Sequence, residues 1–457
     1  MSNASNVINV RSLIDDRPIN RFQWLVVFFG FCIIAADGFD VAIMGFIAPE
    51  LKRLWHVTNP QLAPVLSAAL AGLTLGALFA GPLADYLGRK VVLVLSVFFF
   101  GFWTLVTATS TDITHLVIFR FLTGLGLGAA MPNVGTLVSE FAPERRRSFL
   151  VTVVFCGFTV GAAGGGFLSA WMIPHFGWQS VLIFGGVLPI AVSIALLLFL
   201  PESVRFLVVR NAPAARIAKI VQRLAPDLSM KDASFTMGNA DAAPKGNSIR
   251  TVLSRQYRFG SFMLWLGYFM ALFVVYLMGS WMPTLVKESG YTLADAAFIA
   301  AFFQFGGPAG SLFMGWCMDR ANPHKVLAIT YGLGAVLLFG FTSVAHELPL
   351  LCALTFAVGF CFNGANTGMN ALSAGFYPTA ARATGSSWMH GVGRIGAVLS
   401  AFAGGQMLAW GWTFSQVFAA LAVPAGIIVL SLLLKNLASK GLPVQPVSAA
   451  ASKAMHH

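Results

Sequence analysis

The segment Gly81-Pro82-Leu83-Ala84-Asp85-Tyr86-Leu87-Gly88-Arg89-Lys90 joins two long apolar runs, and it combines a carboxylate, a turn glycine and two basic side chains. A related segment, Gly315…Asp319-Arg320…His324-Lys325, joins two apolar runs in the second half of the chain. Matched motifs in two halves are typical of transporters built from internal repeats, which bind their substrate where the repeats meet. We therefore expect two equivalent halves with a site between them.

The composition is that of a membrane protein. Of 457 residues, 57% are hydrophobic and only 10% are charged, and the mean hydropathy is +0.77. Apolar runs of about 20 residues recur along the chain, each long enough to cross a bilayer as a helix. The sequence predicts an all-α polytopic fold with twelve transmembrane helices, at about 22–47, 61–83, 91–110, 114–137, 149–172, 178–200, 259–284, 294–317, 325–344, 348–374, 384–409 and 413–436.

The basic residues predict the orientation of the chain. A net charge of +12 would also suit a nucleic-acid partner. With the N-terminus inside, however, the predicted outer loops carry only Lys52, Arg53 and Lys287. This asymmetry follows the positive-inside rule. It predicts that both termini are cytoplasmic and that the partner of this basic chain is the lipid bilayer, not nucleic acid.

The spans divide the chain into five parts: an N-terminal tail (1–21), a six-helix half (22–200), a central loop (201–258), a second six-helix half (259–436) and a C-terminal tail (437–457). The central loop predicts one amphipathic helix over 213–225, and its remainder, 226–250, is polar and linker-like. The N-terminal tail lacks the pattern of a secretory signal. The five cysteines form no CxxC, so neither a disulfide framework nor a metal site is expected.

Two carboxylates lie inside the first predicted span. Asp37 and Asp40 are three residues apart and therefore share one face of a helix. A carboxylate at membrane depth costs roughly 2.5–3.5 kcal/mol on insertion scales and is kept mainly where it faces a cavity or a partner. Burial and a neighbouring like charge both favour proton uptake. The alternative is that the aspartates pair with buried arginines, such as Arg120 in the fourth span, and only hold helices together.

The second half places further polar residues inside its spans. A buried arginine beside aromatic residues can bind a planar anion through its bidentate fork and through stacking, and Arg394 has Trp388 and His390 nearby in sequence. The alternative for Arg394 is an ion pair with a carboxylate of the first half. Asn363 and Asn366 would hydrogen-bond either a substrate hydroxyl or another helix. The candidate substrate-binding residues are Arg394, Trp388, His390, Asn363, Asn366 and Gln304.

Four motifs together resemble the major facilitator superfamily over about 20–436. They are the segment 81–90, Arg120…Gly124…Gly126…Gly128, Pro201-Glu202-Ser203-Val204-Arg205-Phe206-Leu207, and Asp37-Gly38-Phe39-Asp40. The last resembles the first-span motif of the aromatic acid:proton symporters. The stretches 44–49, 201–210 and 322–325 look closest to bacterial 4-hydroxybenzoate and protocatechuate transporters.

The resemblance implies proton coupling by Asp37, Asp40 and Arg120. Residues at the inner ends of the spans are expected to gate the cytoplasmic side, and these are Asp85, Arg89, Glu140, Asp319, His324 and Arg382. One departure is that Asn322 and Pro323 stand where the first copy of the loop motif has Gly88 and Arg89. Another is that the fifth span lacks the Gly-Pro pair of the antiporter signature, which weakens an antiport interpretation.

We therefore expect a proton-coupled importer of aromatic carboxylates in the bacterial inner membrane, working by alternating access as a monomer, with the proton as coupling ion and no cofactor. The alternative is a porter for another organic solute, such as a sugar, an organic cation or a non-aromatic acid. No nucleophile–base pair or nucleotide loop indicates an enzyme, and the central loop shows no signalling module of a chemoreceptor. Benzoates, hydroxybenzoates, protocatechuate, gallate, vanillate and chlorinated aryloxyacetates remain open as substrates.

Overall fold

The computed structural model describes residues 6–228, 233–236, 248–344, 347–377 and 379–439. Within these ranges, twelve helical segments are long and apolar enough to cross a membrane, which confirms the predicted fold class. The elements are β1 (Asn6–Asn9), α1 (Val10–Asp16), α2 (Arg21–Trp55), α3 (Asn59–Leu87), α4 (Arg89–Thr107), α5 (Ile113–Phe141), a 3-10 turn (Glu144–Arg146), α6 (Arg147–Phe176), α7 (Trp178–Phe199), α8 (Val204–Val209), α9 (Ala214–Leu224), β2 (Ala233–Thr236), α10 (Ser248–Val252), α11 (Arg258–Glu288), α12 (Leu293–Met318), α13 (Pro323–Val344), α14 (Leu348–Phe376), α15 (Thr379–Ala409), α16 (Phe414–Ala420) and α17 (Ala422–Ser439).

The last predicted span is divided between α16 and α17, with a break at Leu421. Pro424, in the first turn of α17, explains the break, because proline has no N–H to donate to the carbonyl four residues earlier. The two pieces together still form one span.

Glycines bring the helices of the first half into backbone contact. A Cβ on Gly72 of α3 would collide with the carbonyl of Phe121 on α5, and a Cβ on Gly128 of α5 would collide with the carbonyl of Leu73 on α3. Within a bilayer, a helix gains no hydrophobic stabilisation by exchanging lipid for another helix. Helices therefore associate through close packing at such small residues. The paired glycines therefore fix the α3–α5 contact, which positions Arg120 on α5.

The two halves touch on the side of the bundle away from the termini, which we call the distal side; the side that carries the termini and the central loop is the terminal side. A Cβ on Gly45 of α2 would lie 2.5 Å from the carbonyl of Gly279 on α11. Near the end of α15, a Cβ on Gly405 would lie 3.1 Å from the Ala63 side chain on α3. An ion pair between Lys52 and Glu288 also joins the halves here. These contacts close the distal side.

The terminal side of the first half carries a small folded cap. Strand β1 pairs in parallel with β2, with Val7 opposite Ser234. Val10 and Ile14 of α1 are buried in the same apolar cluster as Ile217 and Val221 of α9. The predicted amphipathic helix over 213–225 is confirmed as α9, and its apolar face packs against protein. The prediction of a wholly linker-like 226–250 is wrong, because β2 lies within it.

Hydrogen bonds and an ion pair fasten the cap to the bundle. Asn20, the N-cap of α2, donates from Nδ2 to the carbonyls of Arg223 (2.9 Å) and Leu224 (3.1 Å) at the end of α9. Arg17 forms an ion pair with Asp227 beyond α9. The described part of the predicted N-terminal tail is therefore folded onto the central loop.

Candidate substrate and proton site

Asp40 and Arg120 form a buried ion pair within the first half. Arg120 donates from Nη1 and Nη2 to the two carboxylate oxygens of Asp40 at 3.0 and 2.8 Å, and from Nη2 to the Asp40 carbonyl at 3.0 Å. The hydroxyl of Thr104 on α4 donates to the same carboxylate at 2.7 Å. Asp40 is 0% and Arg120 is 1% exposed. This geometry compensates both charges, as a buried pair requires, although Arg120 Nε has no hydrogen-bond partner among the described residues.

Asp37 lies on the same helix as Asp40 but has a different environment. It is 0% exposed, and neither of its carboxylate oxygens has a hydrogen-bond partner among the described residues. The next residue, Gly38, packs against the backbone of Phe158 on α6 with no room for a Cβ, so α2 cannot withdraw from this position. Asp37 interacts electrostatically with Asp40 and with Arg394 on α15. The expected contact of Arg120 with the first-span aspartates is thus made by Asp40, while Asp37 faces the other half.

Arg394 lies at a junction of helices from both halves. A Cβ on its neighbour Gly393 would lie 2.5 Å from the ring of Tyr268, which presses α15 against α11. The charge of Arg394 acts on Tyr268 and Tyr276 of α11 and on His390 of α15. The His390 ring packs edge-on against Tyr268, with ring centroids 5.2 Å apart. Among the described residues, Arg394 makes no hydrogen bond or ion pair.

Tyr268 and Tyr276 are site residues that sequence reasoning missed. Each lies in an otherwise apolar stretch, where a tyrosine is most simply interpreted as packing. The available signal is their spacing of eight residues, which places both on nearly the same face of α11. The charges of Arg394 and Asp37 both act on the hydroxyl group of Tyr276. Tyr276 therefore lies near both charges.

The other predicted substrate-binding residues lie at varying positions. Trp388 stacks on Trp265, with centroids 5.5 Å apart, on a different face of α15 from Arg394. Asn363 donates to the Phe303 carbonyl on α12 at 3.1 Å, which is the interhelical alternative for this residue.

Two amide side chains remain available on the second half. The Asn366 Oδ1 atom is buried without a hydrogen-bond partner among the described residues. The Gln304 side chain, on α12, is buried beside Gly279 of α11, whose Cβ position is 3.5 Å from its Nε2. Gly279 also contacts α2, so Gln304 lies close to the boundary between the halves.

The predicted gate residues of the first half gather on the terminal side. Arg89 Nε lies 3.6 Å from a Glu140 carboxylate oxygen, which joins α4 to the end of α5. The Arg89 guanidinium also lies over the Phe206 ring of α8, 5.5 Å from its centroid. The Asp85 side chain lies outside the described residues.

Glu202 completes this cluster and was not among the predicted site residues. Its Oε1 accepts from the backbone N–H of Lys90 (3.1 Å) at the start of α4 and from that of Ser203 (2.8 Å). Gly88 has φ +100°, and a Cβ there would collide with the Glu202 carboxylate. A carboxylate at a helix N-terminus is favoured by the helix dipole, so Glu202 anchors the central loop to the loop motif.

The corresponding cluster of the second half is built differently. Lys435 of α17 is buried and lies 2.9 Å from His324 Nε2, with its Nζ 3.9 Å from the centroid of the Phe376 ring. Asn322, which departs from the first loop motif, accepts from the backbone N–H of His324 at 3.0 Å and so caps α13. Asp319 is exposed at the end of α12. The Arg382 side chain lies outside the described residues.

Sequence comparison places this architecture among known proteins. The model of the Major Facilitator Superfamily matches residues 29–346 and 264–454. The chain is 47% identical to the 4-hydroxybenzoate transporter PcaK of Pseudomonas putida over 96% of this chain and 99% of that protein. It is 45% identical to the gallate transporter of Pseudomonas putida, over 93% of this chain and 94% of that protein.

Structural comparison gives the same fold. The crystal structure of a D-xylose-proton symporter matches with a TM-score of 0.70 at 16% identity, covering 93% of this chain and 98% of that one. A bacterial homologue of the human lysosomal transporter Spinster, in an inward-facing and unoccupied conformation, matches with a TM-score of 0.67 at 16% identity, again over 93% and 98% of the two chains. At this identity the likeness concerns the fold alone.

Proposed function

Because this chain belongs to the major facilitator superfamily, we propose that it imports aromatic carboxylates by proton symport, with hydroxylated benzoates such as 4-hydroxybenzoate as its substrate class. It is a multi-pass transporter of the bacterial inner membrane and not an enzyme. Relatives named for 4-hydroxybenzoate and gallate, 45–48% identical over nearly the whole chain, support the substrate class. The observation that carries the proposal is the guanidinium of Arg394, which lies among aromatic and polar side chains where the two halves meet.

Anion recognition requires a cation that is free to bind. The inside-negative potential opposes entry of a monoanion by about 2.3 kcal/mol per 100 mV, so a carboxylate needs both a cationic partner and a proton. Arg120 already binds Asp40 through two side-chain hydrogen bonds. Arg394 has no hydrogen bond or ion pair within the described ranges, and its planar fork suits a carboxylate. Tyr268 and Tyr276 supply aromatic faces and hydroxyl groups beside it.

The coupling proton belongs on the first-span aspartates. A buried carboxylate without a partner carries a large free-energy cost, which a proton removes. Asp37 meets this description, whereas Asp40 is paired with Arg120. We therefore assign the proton to Asp37 and a supporting role to Asp40 and Arg120.

Alternating access follows from the division into halves 22–200 and 259–436. With the terminal side cytoplasmic, the contacts at Gly45 and the Lys52–Glu288 ion pair close the periplasmic side. A closed periplasmic side is what an inward-facing state of such a transporter requires. Arg89, Glu140 and His324 would then exchange partners when the cytoplasmic side closes, together with Asp85, Asp319 and Arg382.

Uptake into proteoliposomes tests the proposal. Labelled 4-hydroxybenzoate should accumulate under an inward proton gradient, and accumulation should stop with a protonophore. Unlabelled aromatic acids should compete, whereas a sugar, an organic cation and a non-aromatic acid should not. Competition by one of those three but not by aromatic acids would establish the alternative porter.

Substitution at Arg394 tests the anion site. Arg394→Ala should weaken binding of 4-hydroxybenzoate by about 2–5 kcal/mol, or roughly 30-fold and more. Arg394→Lys should rescue poorly because lysine lacks the planar fork. Arg53→Ala is the matched control. It also removes an arginine, but from a side chain that is 64% exposed on the distal side. Wild-type affinity in Arg394→Ala would remove Arg394 as the anion site.

A further inference from the structure

On the basis of the proposed function, we infer that Asp37 and Arg394 form a switchable charge pair across the two halves. When Asp37 is ionised, it compensates the charge of Arg394. When Asp37 carries a proton, that charge is released to the carboxylate of the substrate. The pair would make proton binding and anion binding mutually dependent, with one proton per anion.

Asp37 and Arg394 are opposite charges on helices of different halves, and neither has a hydrogen bond or ion pair among the described residues. Asp37 is fully buried with both oxygens unpartnered, and Arg394 has no hydrogen-bond partner in the part of the chain that the structure describes. Their charges nevertheless interact. Tyr276, on α11, interacts with both. A carboxylate that reached Arg394 would therefore enter the field of Asp37.

The charges around this junction determine how many protons are needed. Asp40 and Arg120 neutralise each other, and ionised Asp37 is balanced by Arg394, so the four groups have no net charge. A substrate anion would leave one uncompensated negative charge in a buried site, which is strongly unfavourable. One proton on Asp37 restores neutrality. The substrate anion and the proton are therefore expected to bind together.

Few other groups near Asp37 could carry the proton that is coupled to anion binding. On its own helix, Asp40 is held by Arg120 and Thr104. The adjoining surface of α6 presents Phe158 and Gly161, which do not titrate. From α11 the neighbours are the phenols Tyr268 and Tyr276, which are neutral at physiological pH.

His390, from α15, is the remaining candidate, because it lies within the field of Arg394 and a histidine side chain can exchange a proton in the physiological range. Its Nδ1 lies 2.8 Å from the Ser386 carbonyl, and its ring packs against Tyr268. A variant at His390 is therefore needed to separate the two possibilities.

Equilibrium binding of 4-hydroxybenzoate to purified protein between pH 6 and 9 tests the linkage. In the wild type, Kd should rise with pH by up to tenfold per unit, as expected when one group must be protonated for binding. Calorimetry in buffers of different ionisation enthalpy should show uptake of about one proton per anion at the alkaline end. Asp37→Asn should bind at all these pH values with the affinity of the low-pH wild type and take up no proton.

Two further variants identify the group responsible. Asp37→Glu should restore the pH dependence, because it restores a titrating carboxylate. His390→Gln should keep the pH dependence, whatever its affinity. If His390→Gln abolishes the dependence and Asp37→Asn keeps it, the inference is wrong.

Different results would contradict the charge switch and the proposed function. Wild-type protein that accumulates 4-hydroxybenzoate but binds it with a pH-independent Kd would overturn the charge switch and leave the transporter assignment intact. Folded wild-type protein that binds no aromatic acid at any pH would overturn the proposed function itself.

Discussion

The same substitution at two aspartates three residues apart should have very different effects on stability. Asp40→Asn removes the charge that compensates Arg120. The buried guanidinium would then have only neutral hydrogen-bond acceptors, such as the backbone carbonyl of residue 40, and these bind it more weakly than a carboxylate does. Removing one partner of a buried ion pair typically costs about 3–5 kcal/mol. The two charge-assisted hydrogen bonds of 2.8 and 3.0 Å, together with the Thr104 bond, place this pair at the upper part of that range.

Asp37→Asn removes a charge that has no hydrogen-bond partner among the described residues. The asparagine amide stays buried, so some cost of an unsatisfied polar group persists, as it does for the carboxyl. The unfavourable buried charge, however, is gone, and Arg394, which loses its compensating charge, is only partly buried. We expect the free energy of unfolding at pH 8 to rise, or to fall by less than about 1 kcal/mol, in contrast to the loss in Asp40→Asn.

Denaturant unfolding in detergent, followed by tryptophan fluorescence, measures both variants on one scale. A double variant, Asp40→Asn with Arg120→Gln, removes both charges and should recover part of the stability lost in Asp40→Asn. Equal destabilisation by Asp37→Asn and Asp40→Asn would refute the distinction between a paired and an unpaired aspartate, and with it the assignment of the proton to Asp37.

Three further predictions concern transport. Asp37→Asn should abolish uphill uptake of 4-hydroxybenzoate in proteoliposomes yet keep exchange of internal for external substrate, and accumulation with normal pH dependence would contradict the proton assignment. Glu140→Gln should lower the transport rate while substrate affinity stays within a few-fold, because Glu140 lies with Arg89 on the terminal side; a large loss of equilibrium binding would instead place it near the substrate. Lys52→Glu should speed opening of the distal side, measured by the labelling rate of a cysteine introduced there. Adding Glu288→Lys to the same chain should restore an ion pair and reverse that effect. Equal labelling rates in the wild type, the single variant and the double variant would show that the ion pair does not control the distal side.

Most of the fold follows from local sequence. Each span can be recognised by its hydropathy, so twelve helices could be predicted, most with ends within about five residues of those in the structure. The exception is α2, which continues to Trp55, eight residues beyond its predicted end at 47. Helix α9 could also be predicted, because its apolar residues recur with helical spacing. The pairing of β1 with β2 could not be predicted, because four-residue strands more than 200 residues apart carry no local signal of their register. The burial of Val10 and Ile14 against α9, together with the Arg17–Asp227 ion pair, brings the two strands together.

The candidate site was predictable only in part. The contact between Asp40 and Arg120 could be anticipated because both lie at a similar depth in the spans of one half. The direction of Asp37 could not, since it depends on how α2, α11 and α15 cross, and that crossing is set by glycine contacts such as Gly45 with Gly279. Tyr276 was overlooked for the same reason, because its role depends on neighbours from two other helices.

The location of the two charge pairs relative to the moving parts distinguishes their roles. Asp40 and Arg120 both belong to the first half, so a rocking motion of one half against the other carries them together and leaves their hydrogen bonds intact. Asp37 and Arg394 belong to different halves, and the same motion must change the distance between them. The cost of an ionised Asp37 therefore depends on the conformational state, whereas the charge of Asp40 remains compensated throughout. A group that takes up a proton on one side of the membrane and releases it on the other needs this dependence. Of the two buried aspartates Asp37 and Asp40, only Asp37 interacts with a cation of the other half, Arg394.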